Sequence, residues 1–135
     1  MSLLRNLFGR GSESRPRAEP PVAEAHHHAR VHALFGVTAP DFLRKNDNVV
    51  LDLWAAWCRP CRAFSPVVEL MAQRYDGKVS FGKVNIDRDP TLAQRWEVGS
   101  IPTLLFFRKG ELVRRWEGLC SPQVLDRRIR HTFKI

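Results

Sequence analysis

Two cysteines, Cys58 and Cys61, stand three positions apart in WAAWCRPCRAF, residues 54 to 64, with Arg59 and Pro60 between them. A pair at this spacing serves as half of a metal site, as a structural staple or as a redox centre. Structural zinc takes four ligands, and Cys120, the remaining cysteine, has neither a cysteine nor a histidine at ligand spacing. The metal reading therefore lacks half its donors, and no metal is expected. An inert disulfide or two core thiols would also satisfy the spacing. Against it, Cys-x-x-Cys beside a strand-helix-strand pattern is the usual arrangement for thiol-disulfide exchange.

The elements around the pair make that pattern. NVVLDLWAAW is a β-branched and aromatic run flanked by Asn46, Asp47 and Asn48, which predicts a buried strand. After the cysteines, Phe64, Val67, Val68, Met71 and Tyr75 recur at spacings of three and four, the apolar stripe of an amphipathic helix that Pro66 should kink. KVSFGKVNI, 78 to 86, alternates as a second strand, so strand, helix and strand form a right-handed parallel βαβ unit. Before it, Thr38 with Asp41 three later predicts a capping box opening a short helix. After it come a short helix with Asp89 as N-cap and Pro90 at N1, and a hairpin about Lys109 and Gly110. A final helix opens at Ser121 and Pro122, with Val124, Leu125, Ile129 and Phe133 on one face. The expected order is helix-strand-helix-strand-helix-strand-strand-helix. That is an α/β fold, a central mixed parallel and antiparallel sheet with helices on both faces.

This order puts Cys58 where a strand ends and a helix begins. The first turn of a helix offers unpaired amide donors and the positive end of the macrodipole, and both favour thiolate over thiol. A thiolate so placed is a nucleophile at neutral pH. Residues three apart on a helical turn lie about 5 Å apart, within disulfide reach. Asp52 interrupts the otherwise apolar strand, and a buried unpaired carboxylate costs several kcal/mol, so its presence calls for a chemical reason.

The totals set the limits. The chain has 135 residues, 44% of them hydrophobic, which suits one domain and a tail. Its formal charge is +8 and its pI about 10.3, yet the arginines are dispersed and no basic run is interleaved with aromatics, so no nucleic-acid partner is expected. No apolar run reaches the roughly 18 residues of a membrane span, and the leading MSLLRNLFGRG is too short for a secretory core, so the cytoplasm is the expected compartment. The start is free of acids up to Glu13, and Leu3, Leu4, Leu7 and Phe8 can share a helical face, which leaves an organellar matrix as the alternative. Residues 1 to 30 read as a flexible extension, and 31 to 135 as the folded domain. His26, His27 and His28, with His32 nearby, lack the further donors of a four-ligand site.

Three segments in this order, VVLDLWAAWCRPCRAFSPV, GKVSFGKVNIDRDP and VGSIPTLLFFRKGE, resemble the thioredoxin family over roughly residues 31 to 135. Their wording, with the N-terminal extension, is somewhat like the bacterial branch that carries an N-terminal zinc segment, but that segment's cysteines are missing here. The resemblance implies a thioredoxin fold and a protein-disulfide reductase. In it Cys58 attacks the substrate disulfide, Cys61 resolves the mixed disulfide, Asp52 moves the proton of Cys61, and Lys83 lies near Asp52. It further implies that Ile101-Pro102 is cis and faces the disulfide, and that Trp57, Arg59, Pro60, Ile101, Pro102 and Gly118 form the substrate-docking surface. Trp54 is implied to pack beside the site, and Gly99 to help shape the loops. No cofactor is implied beyond the Cys58–Cys61 disulfide itself. The implied partners are disulfide-bearing proteins and a flavin-dependent thioredoxin reductase, and the protein is expected to be a monomer.

Two other functions stand beside this one. A binding module or chaperone subunit on the same fold would not need a carboxylate buried beside a thiol. An oxidase or isomerase of an oxidising compartment would call for a signal sequence. The family's reductases usually carry glycine where this chain has Arg59. A fixed positive charge next to Cys58 favours its thiolate and makes the disulfide slightly more oxidising. Cys120 is read as a small, partly buried hydrophobe.

Overall fold

A computed structural model describes residues 30–135 of the chain. Nine elements follow one another: β1 (Val31–Leu34), α1 (Ala39–Lys45), β2 (Asn48–Trp54), α2 (Arg59–Arg74), β3 (Ser80–Asn85), α3 (Pro90–Arg95), β4 (Thr103–Arg108), β5 (Glu111–Glu117) and α4 (Pro122–Phe133). The strands form one sheet in the order β1-β3-β2-β4-β5. β3 runs parallel to both β1 and β2, while β4 is antiparallel to β2 and to β5. The expected α/β class, mixed sheet and βαβ unit are all present.

β1 is an addition to the expected order. VHAL is four residues long and only Leu34 in it is buried, so its pattern carries too little alternation to declare a strand. Its pairing along β3, from Val31 opposite Phe81 to Leu34 opposite Val84, supplies the hydrogen bonds that define it.

Helix starts also differ. Thr38 makes no capping bond to α1; its Oγ1 accepts from the Phe35 amide at 2.9 Å, and Asp41 instead pairs with Arg44 and Lys45. Asp89 likewise does not cap α3, because its Oδ1 accepts from the Gly36 amide at 3.0 Å, 53 residues away. Both oxygens satisfy backbone donors, but donors of the β1–α1 connection. Ser121 caps α4 as expected, accepting from the Val124 amide at 3.3 Å. α2 continues through Pro66. The hairpin turns at Lys109 and Gly110, both at positive φ (47° and 82°), the geometry that matches strand twist in a two-residue connection.

β2 is the central strand and is buried on both faces, so its alternation sorts two cores. Val50 faces α2 and α4, packed with Phe64, Val68, Met71, Phe106, Leu125 and Ile129. Val49, Leu51 and Leu53 face the other way, with Leu34, Val84, Leu92, Leu105 and Phe107. Period two therefore sends Asp52 to the α2 side of the sheet. Tyr75 Oη donates to Asp126 and ties the end of α2 to α4.

Candidate functional site

Cys58 and Cys61 are joined as a disulfide, their Cα atoms 5.3 Å apart. Cys58 is the N-cap of α2, and its Sγ accepts from the Cys61 amide at 3.2 Å, so a free helix-terminal donor is already aimed at the sulfur. That donor and the helix dipole will stabilise a thiolate there once the bond is reduced. Pro60 sits in the first turn, where a missing N–H costs nothing. Arg59 opens the helix with an exposed side chain. The pair is only 4% and 3% exposed, in a small cluster with Ala55 that Trp54, Ile86 and Ile101 flank.

Across from the disulfide lies the loop before β4. Ile101-Pro102 is cis, and the Ile101 carbonyl oxygen is 3.9 Å from Cys58 Sγ. Two bonds fix this loop: Thr103 Oγ1 donates to the Ser100 carbonyl at 2.7 Å, and the Gly118 amide donates to the Pro102 carbonyl at 2.8 Å. Gly118 adopts φ 89°, a conformation side-chain-bearing residues resist, so its identity secures the second bond. Gly99 has open space where a Cβ would go and no positive φ; nothing in the structure explains glycine there.

Trp57 is 66% exposed beside the disulfide, and Leu119, after Gly118, is 53% exposed. The Trp57 indole is not loose: its Nε1 donates to Asp87 Oδ2 at 2.9 Å. Asp87 was not among the sequence-predicted residues. The signal for it is partial: β3 is parallel to β2, so the residues just after β3 emerge at the same end of the sheet as those just after β2.

Behind the disulfide is a cavity of about 320 Å³ lined by Asp52, Trp54, Cys61, Arg62, Ser65 and Lys83. Asp52 is 5% exposed and its Oδ1 has no hydrogen-bond partner. Burial pushes its carboxyl up from 3.8 to about 7, against the opposing pull of the Lys83 charge. Lys83 is opposite Asp52 in the β2–β3 register, and its Nζ lies 5.6 Å from the centroid of the Trp54 ring. Ser65 follows Cys61 by four residues on α2, a spacing that puts both on one helical face and makes it legible in the sequence. Arg62, anchored by Nη1 to the Ala56 carbonyl at 2.7 Å, had no such signal.

The structure thus assembles Cys58, Cys61, Asp52, Lys83, Trp54, Trp57, Ile101, Pro102 and Gly118 at one end of the sheet. Cys120 is half-buried against the main core, and burial raises its thiol above the ordinary value, against a smaller opposing effect of Arg128. It packs as a hydrophobe. Among the described residues no group of three or more His, Cys, Asp or Glu side chains is placed to hold a metal. His26, His27 and His28, and all of the expected extension 1 to 30 except Arg30, lie outside the described residues.

A disulfide at a helix N-terminus, with a buried carboxylate behind it and an exposed apolar rim before it, is equipped to exchange with disulfides of another protein. Comparisons with known proteins agree. A family model described as thioredoxin matches residues 37–131. The thioredoxin of Staphylococcus epidermidis is 43% identical over 88 residues, spanning 64% of this chain and 85% of that protein. The thioredoxin of Porphyra purpurea is 46% identical over 78 residues, covering 58% of this chain and 73% of that protein. Among solved structures, a mutant thioredoxin from Halobacterium salinarum NRC-1 superposes with a TM-score of 0.74 at 28% identity, over 82% of this chain and 97% of that one. The Cys58–Cys61 pair is a redox-active disulfide, and the activity is thioredoxin-type thiol-disulfide exchange.

Proposed function

The chain belongs to the thioredoxin family, and on that premise we propose that it works in the cytoplasm as a reductase of protein disulfides, recharged by a flavin-dependent thioredoxin reductase. The reduced Cys58 thiolate attacks one sulfur of a substrate disulfide. A mixed disulfide forms and one substrate thiolate leaves. The Asp52 carboxylate takes the proton of Cys61, and the new thiolate attacks Cys58 Sγ, breaking the mixed disulfide and releasing the second substrate thiolate. Two electrons pass to the substrate, and the protein is left with the Cys58–Cys61 disulfide, the oxidised form described above.

In this reading Trp57, the cis Ile101-Pro102 edge and Gly118 receive the substrate chain, Arg59 and Pro60 form the rim next to the attacking sulfur, and Lys83 moderates the charge on Asp52. The observation that carries it is the unpartnered carboxylate of Asp52, which shares one cavity with Cys61. A module that only binds has no use for so costly a group. The test is insulin reduction with a dithiol or a flavin-dependent reductase as donor, comparing the parent with Cys61→Ser. The parent should turn over continuously, while the variant should stop after one attack and accumulate the mixed disulfide on Cys58. A parent no faster than Cys61→Ser would reject the reading.

A further inference from the structure

Asp47 comes just before β2 and Cys58 shortly after it, so the two mark opposite ends of the sheet. The strand alone sets them about 20 Å apart. At the Asp47 end is a cleft of about 600 Å³ that plays no part in the chemistry above. Three elements wall it: α1 supplies Leu43 and Arg44, the end of α3 supplies Arg95 and Trp96, and the β4–β5 turn supplies Lys109.

Its floor is apolar and its rim is cationic. Leu43 and Trp96 pack against the second core cluster, and the indole is braced edge-on against Phe107 with ring centroids 5.5 Å apart. Arg44, Arg95 and Lys109 are exposed above them. Among the described residues neither Arg95 nor Lys109 has an ion-pair partner, and Arg44 shares Asp41 with Lys45. The walls are tied in place. The Lys109 amide donates to the Asp47 carbonyl at 2.7 Å, and Arg115 donates to the carbonyls of Trp96 and Glu97 at 2.6 and 3.1 Å.

We propose that this cleft docks an acidic protein segment, whose carboxylates meet Arg44, Arg95 and Lys109 while an aliphatic or aromatic side chain lies on Leu43 and Trp96. The charge complementarity selects an acid, and the arrangement selects its kind. A phosphate group wants donors converging on one point, whereas these cations stand on three separate elements and Asp47 also lines the cleft. A lipid surface wants a basic face it can lie against, not a walled cleft. Carboxylates spaced along an extended chain can meet cations carried on three elements while a side chain between them lies on the apolar floor. A partner held here leaves the dithiol end free, so docking would raise the local concentration of whatever disulfide the partner carries without obstructing its reduction.

The probe is the peptide acetyl-Glu-Leu-Glu-Phe-Glu-amide, titrated at low ionic strength into the full-length, isotope-labelled oxidised protein. Backbone amide shifts are expected at Arg44, Asp47, Trp96 and Lys109, with the Trp96 indole resonance, and they should fade at high salt. In Arg95→Glu/Lys109→Glu, binding should weaken about tenfold or more. That variant should still reduce a small aromatic disulfide at the parental rate, which separates this site from the dithiol. The milder Arg95→Gln/Lys109→Gln should weaken binding several-fold and gives the same reading if charge reversal disturbs folding. The proposal is overturned if a peptide with glutamine for glutamate binds equally, if the shifts cluster at Trp57 and Ile101 instead, or if both double variants bind as the parent does. It is also overturned if inorganic phosphate or phosphatidylglycerol vesicles perturb the same amides more strongly than the peptide.

Discussion

Asp52→Asn keeps the shape of the side chain and removes its charge, so it isolates what the buried carboxylate costs. Burial raises the Asp52 carboxyl from 3.8 to about 7, with Lys83 offsetting part of the rise. Below about pH 4 the group is protonated in both the folded and the unfolded chain and contributes no pH dependence. Between that point and about pH 7 only the unfolded chain gives up the proton, so the unfolded state gains about 1.4 kcal/mol for every pH unit. Above about pH 7 both states are ionised and the loss levels off at about 4 kcal/mol. The sign is opposite to that of a salt-bridged carboxylate, because stability is lost as pH rises. Asparagine escapes this loss, although its own buried amide adds a pH-independent cost of about 1–3 kcal/mol if left unpaired. The assay is guanidinium unfolding of oxidised parent and variant from pH 4.5 to 8.5. The variant's stability relative to the parent should climb by about 3 kcal/mol across that range, because about 1 kcal/mol of the loss already falls below pH 4.5. A difference that stays flat with pH, or a variant that loses stability relative to the parent as pH rises, would refute the reasoning.

Four further outcomes are expected. Arg59→Gly should make the dithiol more reducing by about 20 mV, from loss of about 1 kcal/mol of screened attraction to the Cys58 thiolate; equilibration with a glutathione or reference-thioredoxin couple measures it, and an unchanged or less negative potential would dismiss the effect. Gly118→Ala should cost about 1–3 kcal/mol in guanidinium unfolding, because φ 89° is poorly tolerated by a side-chain-bearing residue and the Gly118–Pro102 bond depends on it. Asp87→Ala should free the Trp57 indole and slow insulin reduction more than reduction of a small disulfide; equal slowing of both would mean the tether does not serve docking. In the reduced protein at neutral pH, iodoacetamide should modify Cys58 well before Cys120, whose thiol burial holds above the ordinary range; mass mapping of early adducts decides it.

What the sequence made legible follows from interaction range. The βαβ unit and the place of Cys58 at its corner rest on apolar periodicity and on a spacing of three, both local, and both appear as expected. The failures are contacts that local rules cannot rank. Thr38 and Asp89 have the right residue types for helix caps, and each does accept from a backbone amide, but from Phe35 and from Gly36. The oxygen goes to the donor that the folded chain brings beside it, and for Asp89 that donor is 53 positions away. β1 exists because β3 offers an edge, not because VHAL favours a strand. The pairing of Trp57 with Asp87 and the lining of the Asp52 cavity by Arg62 likewise depend on how two loops and a helix meet at one end of the sheet.

The position of Asp52 explains why one carboxylate serves in the proposed cycle. On an edge strand it would be hydrated, its carboxyl would stay near 3.8, and it would be a poor proton acceptor for a thiol near 8.5. On the central strand the alternation that turns Val50 toward α2 and α4 also aims Asp52 at α2, the helix that carries Cys61 and Ser65. There burial alone would push it higher still, and Lys83, its neighbour in register on the same face, pulls it back to about 7. The resulting value sits between the carboxylate and thiol ranges, where a proton can be taken and returned near neutral pH. A cost of about 4 kcal/mol is a large share of the 5–15 kcal/mol that holds a typical domain folded. The loss of stability and the tuned proton affinity are one electrostatic effect read in two assays, so a substitution that relieves the first should impair the second.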